Sequence, residues 1–144
     1  MNAWLGRIVL GIALFAAAGA LTARAEIAQA DREAFRGIVA AQIEAFRNDD
    51  GAAAYGYASP TIQGLFPGVD RFMAMVRLGY QPVYRPQSVT FGAVTETPGG
   101  PEQRVFVTGP DGRHWVAIYS FQKQPDGSWK INGCTLVEDP GESA

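Results

Sequence analysis

The chain has one histidine, His114, and one cysteine, Cys134, and these are the first places to look for chemistry. His114 heads a strand-like segment beside Trp115, with Asp111 in the turn just before it. A histidine there can act as a general base or proton relay if a placed partner fixes its tautomer. Its local sequence supplies only the turn residue Asp111, so a half-exposed strand residue is the simpler reading. Cys134 would need a neighbouring base or a helix N-terminus to become a thiolate nucleophile. Neither stands near it in sequence, and a lone cysteine otherwise packs as a small hydrophobe or pairs with a second chain. The acids offer no obvious base. Asp49, Asp50, Asp70, Asp111 and Asp126 fall in caps or turns, and Glu96 and Glu102 flank a turn. None falls in the apolar interior of a strand, where burial would raise its pKa. One histidine and one cysteine do not furnish a Cys/His zinc site. No glycine-rich turn runs from a strand into a helix as a phosphate cradle requires. No metal and no cofactor is therefore expected.

The remaining candidates are aromatic. Tyr55, Tyr57, Tyr84, Trp115 and Tyr119 combine an apolar ring with a polar tip, the equipment of a small amphipathic pocket. The same rings at helix and strand spacing also serve as core.

These side chains must be positioned by one small domain. The 144 residues are 47% hydrophobic and 18% charged, which excludes a disordered chain and a coiled coil. A net charge of −2 and a pI near 5.3 leave no basic footprint for nucleic acid. Arg7 precedes an uncharged apolar run from Ile8 to Ala23, which closes on Ala23-Arg24-Ala25. That is the pattern of a cleaved secretory signal, and the run is shorter than the roughly 20 apolar residues of a spanning helix. The expected organisation is a signal over 1–25, one domain over 26–138 and a flexible tail over 139–144. The mature protein is expected in the periplasm or medium of a bacterium, with no stable membrane insertion.

The mature sequence reads as helices followed by strands. Asp31 is the expected cap of a helix carrying Phe35, Ile38, Val39, Ile43 and Phe46 on one face. Asp50 can cap a short helix over Ala52 to Ala58, and Ser59-Pro60 can restart another turn. A further helix runs from about Val69 to Leu78, with Phe72, Met75 and Val76 on its buried stripe, and Gly79 suits its C-terminal cap. The composition shifts at Pro82 to Pro86. After it, period-two alternation marks four strands: one in which Val89, Phe91 and Ala93 alternate with Ser88, Thr90, Gly92 and Val94, then Arg104 to Thr108, His114 to Lys123 and Trp129 to Val137. The turns are Pro98-Gly99-Gly100-Pro101, Gly109-Pro110-Asp111-Gly112 and Pro125-Asp126-Gly127. In the last strand, Trp129 and Ile131 are expected buried and Lys130 and Asn132 exposed or at the rim. The fold class is α+β, with N-terminal helices packed on a curved four-stranded antiparallel sheet. The third strand is apolar on both faces. Trp115, Ala117, Tyr119 and Phe121 form one face and Val116 and Ile118 the other, so whichever face the helices leave needs cover.

Ala54-Tyr-Gly-Tyr-Ala-Ser-Pro-Thr-Ile-Gln63, Phe72-Met-Ala-Met-Val76, Tyr80-Gln-Pro-Val-Tyr84 and Asp126-Gly-Ser-Trp-Lys-Ile-Asn-Gly-Cys134 together span nearly the whole mature chain. On these segments the chain resembles the nuclear-transport-factor-two-like superfamily, or cystatin-like cone fold. More narrowly, it resembles a family of secreted bacterial domains of unknown function within it. The resemblance implies a helix-backed cone and makes sheet-to-sheet homodimers a common arrangement. It implies no activity, because the superfamily hosts isomerases, dehydratases, transport factors and plain binding modules. Its enzymes typically place an Asp or a His–Asp pair inside the cone, and the acids here are not so placed. The expected function is a non-enzymatic binding or interaction module, dimeric through the sheet, with a small cavity for an apolar or aromatic ligand. The alternatives are an isomerase- or dehydratase-type enzyme using His114 and pocket tyrosines, or an interaction domain whose cavity is filled by its own side chains.

Overall fold

A computed structural model describes residues 27–140. The expected signal over 1–25, the expected mature N-terminus Glu26 and the end of the tail at 141–144 lie outside the described residues. Helix α1 spans Gln29–Arg47 and begins from Ala28 without a side-chain cap. Asp31 is therefore not the cap that the sequence suggests. It stands in the first turn, where the N-terminal end of the helix dipole favours a carboxylate, and it accepts the Trp129 indole N–H at 3.2 Å. Phe35, Val39, Ile43 and Phe46 form the buried stripe as the periodicity requires.

Asp50 caps α2 (Gly51–Gly56) by accepting the Ala53 N–H at 3.1 Å. Ser59 caps α3 (Pro60–Leu65) by accepting the Ile62 N–H at 3.2 Å, with Pro60 opening the helix. In α4 (Val69–Gly79) the buried residues are Phe72, Met73 and Val76. Met75 is only half-buried. A short helix, α5 (Gln81–Tyr84), occupies the proline-rich stretch that reads in sequence only as a boundary. A proline in a first helical turn gives up an N–H that has no partner there, so Pro82 starts this turn rather than breaking it.

The sheet is an antiparallel meander in the order β1 (Ser88–Thr97), β2 (Gly100–Thr108), β3 (His114–Lys123), β4 (Trp129–Glu138). The α+β layout of helices before a curved sheet is thus the observed one. β2 begins at Gly100 rather than Arg104, because the turn is only Pro98-Gly99 and Gly100 takes φ +112°, open to glycine alone without strain. Two bulges break the expected alternation. One, between Phe91 and Val94, turns Val94 rather than Ala93 toward the core. The other leaves Asn132 unpaired between Ile131 and Gly133, opposite Phe121 and Ser120.

Ala117, Tyr119, Phe121 and Ile131 face the helices, and the Phe35 ring stacks on Phe121 at 4.3 Å. Residues 57–59 run alongside β4. Ser59 N–H donates to the Ile131 carbonyl and Ile131 N–H to the Tyr57 carbonyl, both at 2.8 Å. The Ser59 hydroxyl, fully buried, also donates to the Asn132 side-chain oxygen at 2.7 Å. In the last strand only Ile131 is buried; Trp129, Lys130 and Asn132 are all half-buried. Each of the three is engaged. Lys130 donates to the Gly56 carbonyl at 2.7 Å, and Asn132 takes the Ser59 hydroxyl. Trp129 lies edge-on to Phe35 with the Lys123 ammonium 5.5 Å over its ring.

Trp129 ties the last strand to the first helix through both its ring and its N–H. Trp129→Ala should cost about 3 kcal/mol, the low end for a large aromatic because the ring is only half-buried. Trp129→Phe should cost about 1 kcal/mol, the share of one hydrogen bond plus a small loss of packing. Urea unfolding of the three proteins measures both. Equal midpoints for wild type and Trp129→Ala would remove the residue from the fold's framework.

Candidate functional site

The helices do not close completely on the sheet. Between α1, α3, α4, α5 and the inner side of β3 and β4 lies a cavity of about 310 Å³. Its walls are Phe46, Ala58, Ile62, Phe66, Phe72, Met75, Val76, Val83 and Ile131, with Gln42, Tyr80, Tyr119, Gly133, Cys134 and Thr135 completing them. Among the described residues no lysine, arginine, histidine, aspartate or glutamate lines it. Half-buried Ile62, Phe66, Met75 and Tyr80 stand with exposed Thr135 on the side nearest solvent. Met75 is half-buried for this reason, since its helical stripe ends on the hollow instead of on packed side chains.

Tyr119 is 1% exposed, and its hydroxyl makes no hydrogen bond of ordinary geometry, although it interacts with the Cys134 thiol. It is the one such buried side-chain polar atom among the described residues. Cys134 sits directly across from it in the β3–β4 register, and the Asn132 bulge turns the thiol to the same side. Burial pushes the Tyr119 hydroxyl well above its ordinary pKa, with the adjacent Cys134 thiol adding to the shift. Cys134 is half-buried as a residue on an edge strand, yet the apolar surroundings push its thiol up to about 12. Tyr80 is raised as well, by burial first and by Cys134 second. At neutral pH all three groups hold their protons. They are hydrogen-bond donors, not bases or nucleophiles.

Of the five aromatic residues singled out by sequence, Tyr119 lines the cavity and the other four do not. The Tyr55 hydroxyl is committed to the carbonyls of Gln63 and Phe66, at 3.2 and 3.1 Å, and to the Gly68 N–H at 3.0 Å. It fastens α2 to the loop between α3 and α4. Tyr57 ends α2 with its carbonyl engaged by Ile131. Tyr84 donates to Asp49 and accepts from Arg77 at 3.3 Å, with the Arg85 guanidinium 4.1 Å over its ring. The Tyr84 hydroxyl and then Arg85 hold the Asp49 carboxyl below its usual range, and the cluster locks α5 against the end of α1. Trp115 lies under Arg113, whose guanidinium is 5.1 Å from the ring centroid. His114 is exposed on the side of the sheet away from the helices, its Nδ1 3.1 Å from the Thr108 hydroxyl. It does not reach the cavity, and Asp111 instead accepts the Arg113 N–H at 3.1 Å.

Sequence reasoning weighed Cys134 as a thiol and did not make it a pocket residue. Cys134 faces inward only because of the bulge, and the lone signal for it is Asn132-Gly133, a pair that suits an irregular strand position. A second hollow of about 260 Å³ lies between α1 and the β1 bulge. Its polar groups are already engaged: Arg32 with the Ile27 carbonyl, Arg36 over the Phe91 ring, and the Gln103 amide with the Gly92 and Arg104 carbonyls. Among the described residues no cluster of His, Cys, Asp or Glu could hold a metal ion, and no helix is long and apolar enough to cross a membrane.

A family model described as a domain of unknown function (DUF4864) matches residues 28–144, the whole of the fold described above. No curated protein matches the chain. The chain belongs to the DUF4864 family.

The Cys134 thiol provides a test of the cavity's low polarity. With the folded pKa raised, the neutral thiol favours the folded state; this contribution is complete below the unfolded pKa, near 8.5, and is lost as pH rises towards about 12. Stability should therefore fall between about pH 9 and 12, and part of that fall should vanish in Cys134→Ala. At pH 8, iodoacetamide should label the native protein about a thousandfold more slowly than the unfolded chain. Labelling at the unfolded rate would show the thiol to be solvated.

Proposed function

We propose that this DUF4864 domain is an exported, non-enzymatic binding module that holds a small, uncharged and mostly apolar ligand in the cavity between its helices and β4. The observation that carries this reading is the cavity itself: about 310 Å³, apolar walls and no ionised side chain. Ligand pockets begin near that size and are mostly apolar with a few convergent polar groups. An apolar cavity of about 150 Å³ takes a benzene ring, so one of twice that volume suits a fused bicycle or a ring with a short substituent. The enzyme alternative, an isomerase or dehydratase using His114, needs a base in the cavity, and His114 is on the other side of the sheet.

Helices preceding an antiparallel meander, with a cavity between the layers, are also what the nuclear-transport-factor-two-like cone would require, and we place the domain in that superfamily. We further infer that a second copy covers the outer face of the sheet. Phe106, Val116 and Val137 are consecutive cross-strand neighbours there, with Ile118 beside them, on the side of the sheet away from the described helices. Phe106 is 42% and Val137 46% exposed. A side-by-side apolar row left open to water favours burial against another surface. Export rests on the signal pattern over 1–25.

Naphthalene and indane should bind the purified protein. Ile62→Trp, a change at the half-buried rim, should weaken both at least tenfold while the melting temperature moves by no more than about 3 °C. Unaltered binding in that variant would take the ligand out of this cavity. Native mass spectrometry of protein recovered from periplasm or medium should show a dimer whose subunits begin at Glu26, and Val116→Lys should give folded monomers. A species retaining residues 1–25 in the membrane fraction would overturn export, and a monomeric wild type at high concentration would overturn the dimer.

A further inference from the structure

We propose that the ligand is a small neutral carbonyl compound, a ketone, aldehyde or ester. Its oxygen is received by the Tyr119 hydroxyl and the Cys134 thiol at the inner wall of the cavity. This inference rests on the cavity being a ligand site and adds the chemistry of its polar end. A fully buried hydroxyl without a partner is rare in folded proteins and calls for an explanation. Here Tyr119 is among the residues that line an open apolar cavity, so a partner for its hydroxyl can come from outside. The thiol opposite it is a weak donor and weak acceptor, and it leaves the hydroxyl without a hydrogen bond of ordinary geometry.

Two neutral donors side by side select an acceptor with two lone pairs, which a carbonyl oxygen has. The raised pKa values keep both protons in place at physiological pH. A carboxylate would enter with no cation on any wall and would lose its hydration without compensation. An ammonium would enter with no anion. A plain hydrocarbon would leave the hydroxyl as unsatisfied as before.

The test uses 1-indanone and indane, a ketone and its hydrocarbon of nearly equal shape, titrated calorimetrically into wild type, Tyr119→Phe and Cys134→Ala. Tyr119→Phe removes only a hydroxyl that makes no hydrogen bond of ordinary geometry in the fold, so its melting temperature should equal or exceed that of wild type. In that variant 1-indanone should bind about five- to tenfold more weakly while indane is unchanged, the loss expected for one hydrogen bond. In Cys134→Ala the loss for the ketone should be about twofold, in keeping with a weaker donor. The infrared carbonyl stretch of bound 1-indanone should lie at lower frequency in wild type than in Tyr119→Phe. If indane binds but Tyr119→Phe alters both ligands equally, or leaves the carbonyl stretch unmoved, the carbonyl assignment is overturned and the cavity remains an apolar site. If neither compound binds wild type, the cavity reading fails and takes this one with it.

Discussion

The short parallel pairing of residues 57–59 with Ile131 is the constraint on which the rest of the architecture depends. Two backbone hydrogen bonds of 2.8 Å join the helical half to the last strand at a point where the chain would otherwise only pass by. Ser59 does three things there: its N–H pairs with β4, its hydroxyl caps α3, and the same hydroxyl donates to Asn132. All of this happens at a fully buried position, where an unpaired polar group would be costly. The result is that α3 must start at the edge of the sheet. Beyond Ile131 no other described residue pairs with the free side of β4 in this way, and Gly133, Cys134 and Thr135 there become a wall of the cavity.

The bulge at Asn132 is the partner of that seam. It supplies the side-chain oxygen that Ser59 needs, and by adding one residue it exchanges the faces of everything after it. Strict alternation from Trp129 and Ile131 would put Gly133 inward and Cys134 outward. Because Asn132 is inserted, Cys134 meets Tyr119 across the ladder instead. A single extra residue thus couples the attachment of the helices to the polarity of the cavity's inner wall.

Local signals in the sequence were enough for the elements whose causes are local. β3 runs from His114 to Lys123 as its apolar alternation and flanking turns require, and Asp50 and Ser59 cap the helices that follow them. Asp31 is not the cap because the helix already starts at Gln29, and its carboxylate instead accepts from Trp129, nearly a hundred positions away, a contact no local pattern carries. The two bulges were illegible for the same kind of reason. At Gly92 an added Cβ would come within 2.6 Å of the Phe106 ring from the neighbouring strand, so the residue choice there answers to a cross-strand approach. The cavity was legible only as a class of side chain. Five amphipathic rings pointed to a pocket, but which of them would reach it depended on packing between helices.

Hydrogen-bond accounting separates the tyrosines that hold the fold from the one that does not. Tyr55 has its hydroxyl filled by the loop after α3, and Tyr84 by Asp49 and Arg77. Removing either hydroxyl would leave backbone or charged groups without a partner. Tyr119 is different in kind. Its ring is almost completely packed, and its hydroxyl meets the Cys134 thiol without a hydrogen bond of ordinary geometry. A phenylalanine would fill the same space without burying an unsatisfied oxygen, so the fold alone gives no reason for tyrosine at this position. On the carbonyl reading, the reason is a ligand in the space in front of it. That space is apolar, with half-buried Ile62, Phe66 and Met75 among its walls, and a carbonyl ligand there would give a partner to the one unsatisfied buried side-chain polar atom among the described residues.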